Sequence, residues 1–297
     1  MIAIDLGSNT LRVLVYDCMK KKQVFAYEKV VKTADKLAEN GIINDEAIQR
    51  IIVALKEVQK QVNFSTRVHA VSTQAMRSAS NAKEVLKKIK TKTGVNFNII
   101  LGEEEARLTL LAVKNRLEKL HYASSTFVLI DIGGGSTELI FQYASKIISK
   151  SFPIGIVTIA QKYNSLDSIQ KALAQEMLAM QMFCAETYAI NGKLQAFVAT
   201  AGTPTTVAAM KLGQEHACYD ASKINGTLLE LEELDFYLEK LLSMSFEKRE
   251  QAVGTGRSDL IAAGILIYKQ LYTMLEFESC VIVDDGLREG VALEMCQ

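Results

Sequence analysis

Two glycine-containing segments carry the residue types that bind phosphate. Each places an aspartate at the end of an apolar run, followed by glycines and by hydroxyl or amide side chains. The two sets are Asp5, Gly7, Ser8, Asn9 and Thr10, and Asp131, Gly133, Gly134, Gly135 and Ser136. Glycine lets a backbone approach a ligand closely, and successive amides bind phosphate oxygens, while a carboxylate can hold Mg²⁺ directly or through water. A tight hairpin that needs glycine would explain one segment alone, but the repetition favours phosphate binding.

A run of three glutamates, Glu103 to Glu105, opens a predicted helix in the segment GEEEAR. Carboxylates in a first turn stabilise the helix dipole, which is a sufficient structural reason for them. The same surroundings would keep a glutamate ionised and able to accept a proton from water. The residues alone leave both interpretations open and favour the structural one.

Three further features each allow a functional and a structural interpretation. Arg77 follows a predicted strand, where it would clamp phosphate or simply face solvent. Glu138 starts the strand after the second glycine segment, where it would be a second carboxylate near a metal or a surface residue. The lysines from Lys83 to Lys92 are expected to form a solvated helix face rather than a binding patch.

The elements around these segments occur twice along the chain. Each glycine segment lies between strands, and a third strand and then helices alternating with strands follow in both halves, which predicts two duplicated α/β domains. We expect the domains to span residues 1–120 and 121–297, with 286–297 packing back on the first, and both glycine segments to face a cleft. One long helix is predicted near residues 165–190, and Thr203 is the predicted N-cap of another.

Composition narrows the classes of partner. Lysine plus arginine and aspartate plus glutamate number 34 each, so the chain has no overall affinity for polyanions, and no nucleic acid is expected. No apolar run approaches the length of a membrane span, and no membrane partner is expected. The five scattered cysteines include no CxxC pair and predict reduced thiols in a cytoplasmic protein, not disulfides or a zinc site.

The motifs, taken in order, resemble those of the exopolyphosphatase and guanosine pentaphosphate phosphohydrolase (Ppx/GppA) family, in its short two-domain form. The matching blocks are AIDLGSNTLRVLVYD, VSTQAMRSASN, LGEEEARLTLLAV, DIGGGSTEL, FPIGIVTIAQKY, ATAGTPTTVAA, GRSDLIAAGILI and DDGLREGVAL. The resemblance implies two ribonuclease-H-like domains, as in actin, sugar kinases and heat-shock chaperones. The segment VVKTADKLAENG departs from the family, which usually has an arginine and a glycine turn there.

The resemblance assigns roles residue by residue. Glu105 matches the family's catalytic base, and Arg77 matches its phosphate-contacting arginine. Glu138 matches an acidic position associated with the metal site, beside Asp131 and Asp5. The remaining residues of both glycine segments are implied to bind phosphate.

The expected function is Mg²⁺-dependent hydrolysis of a terminal phosphoanhydride bond, with a glutamate activating water. The substrate would be inorganic polyphosphate or guanosine pentaphosphate, since both present the same bond, and a homodimer is left open. The alternatives are a phosphate or nucleotide sensor without turnover, and a kinase of the same superfamily. Phosphate release separates the enzyme from the sensor, and transfer to a sugar or acid would identify the kinase.

Overall fold

The computed structural model describes residues 1–163 and 165–297, without the side chain of residue 259. The chain forms two compact units. The first comprises Met1–Ala112 together with Asp285–Gln297, and the second comprises Val113–Asp284.

The strands form one sheet in each unit. Those of the first are β1 (Ile2–Leu6), β2 (Thr10–Asp17), β3 (Lys22–Val30), β4 (Val68–Ser72) and β5 (Phe97–Ile99). Those of the second are β6 (Phe127–Ile132), β7 (Thr137–Gln142), β8 (Ile147–Phe152), β9 (Phe197–Thr200), β10 (Leu228–Glu230) and β11 (Ser279–Ile282).

Helices connect the strands and cover the sheets. The first five helices along the chain are α1 (Leu37–Asn40), α2 (Asp45–Gln59), α3 (Gln74–Ser78), α4 (Ala82–Thr93) and α5 (Gly102–Lys119). The second unit holds α6 (Ile156–Lys162), α7 (Leu166–Glu176), α8 (Leu178–Asn191), α9 (Gly202–Lys211), α10 (Ala221–Ile224), α11 (Leu231–Ser243), α12 (Phe246–Val253) and α13 (Ser258–Leu275). The chain ends with α14 (Leu287–Glu294), and a short 3-10 helix spans His216–Cys218.

The two sheets repeat one topology, which confirms the duplicated ribonuclease-H-like fold expected from the sequence. The first has the order β3-β2-β1-β4-β5, and the second has β8-β7-β6-β9-β11 with β10 added at the edge. In each sheet the first three strands along the chain are antiparallel neighbours. Two strands then extend the sheet parallel to its first strand, β4 and β5 in the first unit and β9 and β11 in the second.

The C-terminal helix α14 is part of the first unit and packs on β1 and β2. Leu287, Val291 and Ala292 of this helix share a buried cluster with Leu108 of α5. At Gly290 the approach to α5 is so close that a Cβ atom would lie 2.0 Å from the Leu108 carbonyl oxygen. Glycine is therefore required where α14 crosses α5.

Two details of the predicted helices are wrong. The helix expected near residues 165–190 is two helices, α7 and α8, because the backbone leaves helical geometry at Met177. Ser165 caps α7 by accepting a hydrogen bond from the Ser168 amide. The predicted N-cap Thr203 lies inside α9, whose N-cap position is taken by Ala201 at a φ of 72°.

The prediction that all cysteines are reduced thiols is also wrong. Cys18, just after β2, and Cys296, just after α14, form a disulfide that joins positions 278 residues apart. No local spacing could reveal this pair, since only the packing of α14 on β2 brings the two thiols together. Among the described residues, no helix combines the length and apolar character needed to cross a membrane.

Candidate active site

Three parallel strands of the first unit end at one edge of its sheet, and each leads into a predicted site segment. Leu6 of β1 lies in register with Ser72 of β4, which lies in register with Ile99 of β5. The first glycine segment follows β1, α3 follows β4 and α5 follows β5. Because the carboxyl ends of parallel strands meet at one edge, segments far apart in sequence lie side by side there.

The first glycine segment forms a closed turn held from behind. The Gly7 amide donates to the Thr10 carbonyl at 3.0 Å and closes the turn. The Ser8 carbonyl accepts from the Ala34 amide at 2.8 Å, and the Asn9 carbonyl accepts from the amides of residues 31 and 32. The segment after β3 therefore holds the loop through its carbonyl groups.

The second glycine segment repeats this arrangement. The Gly133 amide donates to the Ser136 carbonyl at 2.9 Å, and the amides of residues 156 and 157 donate to the carbonyls of Gly133 and Gly134. Gly155 packs against this turn so closely that a Cβ atom would lie 2.5 Å from the Gly134 carbonyl carbon and oxygen. Among the described residues, no backbone carbonyl accepts from the amides of Gly134 or Gly135.

Arg77 and Glu105 meet at the edge of the first sheet. Arg77 Nη1 donates to Glu105 Oε2 at 2.8 Å, and the two side chains are 15% and 10% exposed. Nη1 also donates to the Ile100 carbonyl at 2.8 Å. Nε and Nη2 donate to Gln74 Oε1 at 3.1 and 3.0 Å, so the guanidinium is fixed on three sides. A buried, fixed partner of this kind holds a carboxylate in one orientation.

The three glutamates of the first turn of α5 have three different environments. Glu103 is exposed, while Glu104 forms an ion pair with Arg107, whose hydrogen bond lowers the pKa of the Glu104 carboxyl. Glu105 is buried and lies against Arg77. Of the three glutamates, Glu105 is therefore the one that is buried and held by Arg77 at the edge where the three strands end, as a general base at that edge would need to be.

A row of polar side chains crosses the sheet of the second unit at the level of Asp131. Asp131 is in register with Thr200 on one side and with Glu138 on the other, and Glu138 is in register with Ser151. Residues in register point to the same face of a sheet. Asp131 and Glu138 are 9% and 1% exposed, and Ser151 Oγ donates to Glu138 Oε1 at 2.7 Å.

The corresponding row of the first unit has a different charge. Asp5 is in register with Val71 and Arg12, and Arg12 is in register with Glu28. Arg12 Nε lies 3.0 Å from Glu28 Oε2. Arg12 thus occupies the position that Glu138 has in the second unit. The duplicated sheets therefore present a pair of carboxylates in one unit and a carboxylate next to an arginine in the other.

The carboxylate pair of the second unit fits a Mg²⁺ ion. Magnesium prefers oxygen ligands and is usually held by one or two carboxylates, the remaining positions being filled by water and substrate phosphates. Asp131 and Glu138 supply two such carboxylates on one face. In the part of the chain that the structure describes, no group of three His, Cys, Asp or Glu residues is placed to hold a metal by itself. The donor set therefore suits a metal that arrives with phosphate.

Three supporting residues were not identified from the sequence. Gln74 fixes Arg77, Ser151 donates to Glu138, and Gly155 supports the second glycine turn. Gln74 lies three residues before Arg77 on the same helix, a spacing that brings side chains together and could have been noticed. The contacts of Ser151 and Gly155 depend on strand register and tertiary packing, which have no local signal.

Two known proteins are similar in sequence to this chain over nearly all of its length. The bifunctional 3-dehydroquinate synthase/phosphatase of Fusobacterium nucleatum is 24% identical over 98% of this chain, which spans only 46% of that protein's length. Exopolyphosphatase 1 of Mycobacterium leprae is 25% identical over 98% of this chain and 87% of its own length.

A solved structure agrees with these relatives. The crystal structure of the Aquifex aeolicus member of the Ppx/GppA protein family is 28% identical, with a TM-score of 0.74 over 99% of this chain and 96% of that chain. The sequence model of the Ppx/GppA phosphatase family matches residues 15–297, which include every segment described above except β1, the first glycine turn and residues 10–14 of β2. The chain therefore belongs to the Ppx/GppA phosphatase family.

Proposed function

We propose that this chain hydrolyses terminal phosphoanhydride bonds of inorganic polyphosphate and releases orthophosphate. Family membership supports a phosphatase, and the name of the M. leprae relative supports polyphosphate as the substrate class. The observation that carries the mechanism is the buried Glu105, fixed by Arg77 at the edge where β1, β4 and β5 end. Guanosine pentaphosphate presents the same terminal anhydride and is the second candidate substrate.

Glu105 acts as the general base in this mechanism. It orients a water molecule and accepts its proton as the water oxygen forms a bond to the terminal phosphorus. The bond between that phosphorus and the bridging oxygen breaks, and its electron pair leaves with the shortened chain. Arg77 contacts both the base and the phosphate, so that it positions one while neutralising the other.

The two glycine turns bind phosphate oxygens. Their carbonyl groups are used by the segments behind them, whereas the amides of Gly134 and Gly135 are available to an anion. Ser8, Asn9, Thr10 and Ser136 add side-chain donors. Asp131 and Glu138 would hold Mg²⁺, and Asp5 is the equivalent acid of the first unit. When bound, the ion neutralises charge that builds up on the phosphate oxygens.

A panel of substrates tests the proposal. Phosphate release is measured with and without Mg²⁺ on polyphosphate, guanosine pentaphosphate and ATP. We expect Mg²⁺-dependent release from polyphosphate, and comparable release from guanosine pentaphosphate would extend the substrate class. Binding of polyphosphate without any release would instead favour a sensor. Transfer of phosphate to a sugar or acid, rather than to water, would favour a kinase.

A further inference from the structure

Helix α4 carries a stripe of lysines on the surface of the first unit. Lys83, Lys87 and Lys90 are all exposed and are spaced by four and three residues, which places them on one face of the helix. The opposite face is buried through Ala82, Val85, Ile89 and Thr93. We call Lys83, Lys87 and Lys90 the lysine stripe.

No ion pair neutralises the stripe within the part of the protein that the structure describes. Lys88, at the side of the helix, pairs with Asp45 at 2.6 Å. None of the three stripe lysines forms an ion pair with a residue that the structure describes. Lysines at i and i+4 repel each other, whereas a helix face that only needs solubility gains from alternating signs. The stripe stands out in a chain whose net charge is +0.

The stripe begins next to the candidate site. Helix α3, which carries Arg77, is followed directly by α4. The start of α4 is fixed by Asn81, whose side chain bonds both the amide and the carbonyl of Ile43. Because α4 lies between β4 and β5, it runs from the edge that holds Arg77 towards the opposite edge. From Lys83 to Lys90 the stripe covers about 10 Å along the helix axis.

We propose that the lysine stripe binds the part of a long polyphosphate chain that extends beyond the phosphate being removed. The inference rests on the proposed function and deepens it, since it makes long chains the preferred substrate. Polyphosphate carries regularly spaced negative charges. Lysine ammonium groups on a helix face can pair with these charges whichever phosphates of the chain lie beside them. Single-stranded nucleic acid would also need aromatic surfaces on which bases stack, and α4 contains no aromatic residue.

The test compares substrates of two lengths. The triple variant Lys83→Ala/Lys87→Ala/Lys90→Ala keeps good helix formers on α4. We expect its KM for a long polyphosphate of roughly a hundred units to rise by about tenfold or more. The slope of log KM against the log of the salt concentration should become smaller by roughly two to three. Turnover of tripolyphosphate should stay within about twofold of the wild type, because the inference assigns to the stripe only the part of a long chain that extends beyond the phosphates held at the site.

A matched control removes the same charge elsewhere. The control Lys20→Ala/Lys21→Ala/Lys22→Ala changes two residues of the turn after β2 and the first residue of β3, all three exposed and at the edge of the sheet opposite Gly7. This variant should keep the wild-type KM for long chains. An equal rise in the control would overturn the inference, because overall charge would explain the effect. Equal losses on both substrate lengths in the stripe variant, or no loss on either, would also overturn it.

Direct binding separates failure of the inference from failure of the proposed function. Fluorescence anisotropy of a labelled long polyphosphate is measured with the wild type and the stripe variant, without Mg²⁺. Weaker binding by the stripe variant supports the inference even if the wild type releases no phosphate, a result that would contradict the proposed function alone. Unchanged polyphosphate binding together with lost binding of a single-stranded RNA would assign the stripe to nucleic acid and overturn the inference.

Discussion

Arg77 and Glu105, 28 residues apart in sequence, form a nearly buried ion pair at 2.8 Å, and Gln74 holds the same arginine from its other side. The pair joins the residue predicted to contact phosphate to the residue predicted to activate water. In the proposed mechanism it therefore links substrate binding and the chemical step through one guanidinium.

Removing the arginine should damage both functions. We expect Arg77→Gln to lower kcat/KM by about 30-fold or more, since truncating one partner of a buried charge pair costs about 2–5 kcal/mol. The melting temperature should also fall, because Glu105 is left buried without its cation. Gln74→Ala leaves the ion pair intact and should have a smaller effect on both quantities. Equal losses in the two variants would mean that the ion pair has no special role.

The carboxylate pair of the second unit should set the response to Mg²⁺. Asp131→Asn removes one of the two carboxylates that we propose hold the ion, and we expect the Mg²⁺ concentration for half-maximal activity to rise by about tenfold or more. Arg12→Gln changes the residue at the position equivalent to Glu138 in the first unit. It should leave the Mg²⁺ titration where it is in the wild type. A Mg²⁺ titration that shifts in Arg12→Gln but not in Asp131→Asn would contradict this assignment, because it would indicate a metal site in the first unit.

The sequence predicted the duplicated strands and the loops that follow them, because Asp5 and Asp131 end apolar runs and glycine marks both turns. The residues alone favoured a structural role for Glu105, because a glutamate in a first helical turn has a sufficient structural reason to be there, and only the family resemblance assigned it as the base. Its burial against Arg77 depends on the parallel neighbours β4 and β5. Such long-range pairing, like that of Cys18 with Cys296, leaves no periodic signal in the chain.

The second glycine turn should be sensitive to a single methyl group behind it. In Gly155→Ala the added Cβ would meet the Gly134 backbone at 2.5 Å, and a backbone contact cannot be relieved by a rotamer change. We expect a loss of stability of about 1–3 kcal/mol and reduced activity. Gly202→Ala is the control, since a Cβ there meets nothing within 4 Å. A melting temperature for Gly155→Ala as high as that of Gly202→Ala would show that the turn can move.

The disulfide should stabilise the first unit by fixing the C-terminal helix. Cys18→Ser/Cys296→Ser should lower the free energy of unfolding by about 3–5 kcal/mol, because the bond closes a long loop in the unfolded chain. Chemical denaturation without reductant measures the change. Cys218→Ser, at an exposed free thiol, should have no effect. If the double variant matched the wild type under these conditions, the bond would not contribute to stability.

The remaining thiols should differ in reactivity. Burial raises the pKa of the Cys184 thiol to about 12, and it also raises that of Cys280, so both stay protonated and unreactive up to strongly alkaline pH. Cys218 is exposed. A thiol reagent at pH 8 should therefore label one cysteine in the native protein and all three free thiols after unfolding. Rapid native labelling at two or more positions would contradict the buried thiols or the disulfide.

The three glutamates of α5 provide the most direct test of the mechanism. Glu103→Gln changes an exposed carboxylate, and Glu104→Gln changes the carboxylate that pairs with Arg107. Both variants should keep activity near the wild-type level. Glu105→Gln should retain the fold and polyphosphate binding but lose the proton acceptor. We expect its rate of phosphate release in a single turnover, with saturating enzyme and Mg²⁺, to fall by about a hundredfold or more. A Glu105→Gln rate within a few-fold of the Glu103→Gln and Glu104→Gln rates would contradict the assignment of Glu105 as the base.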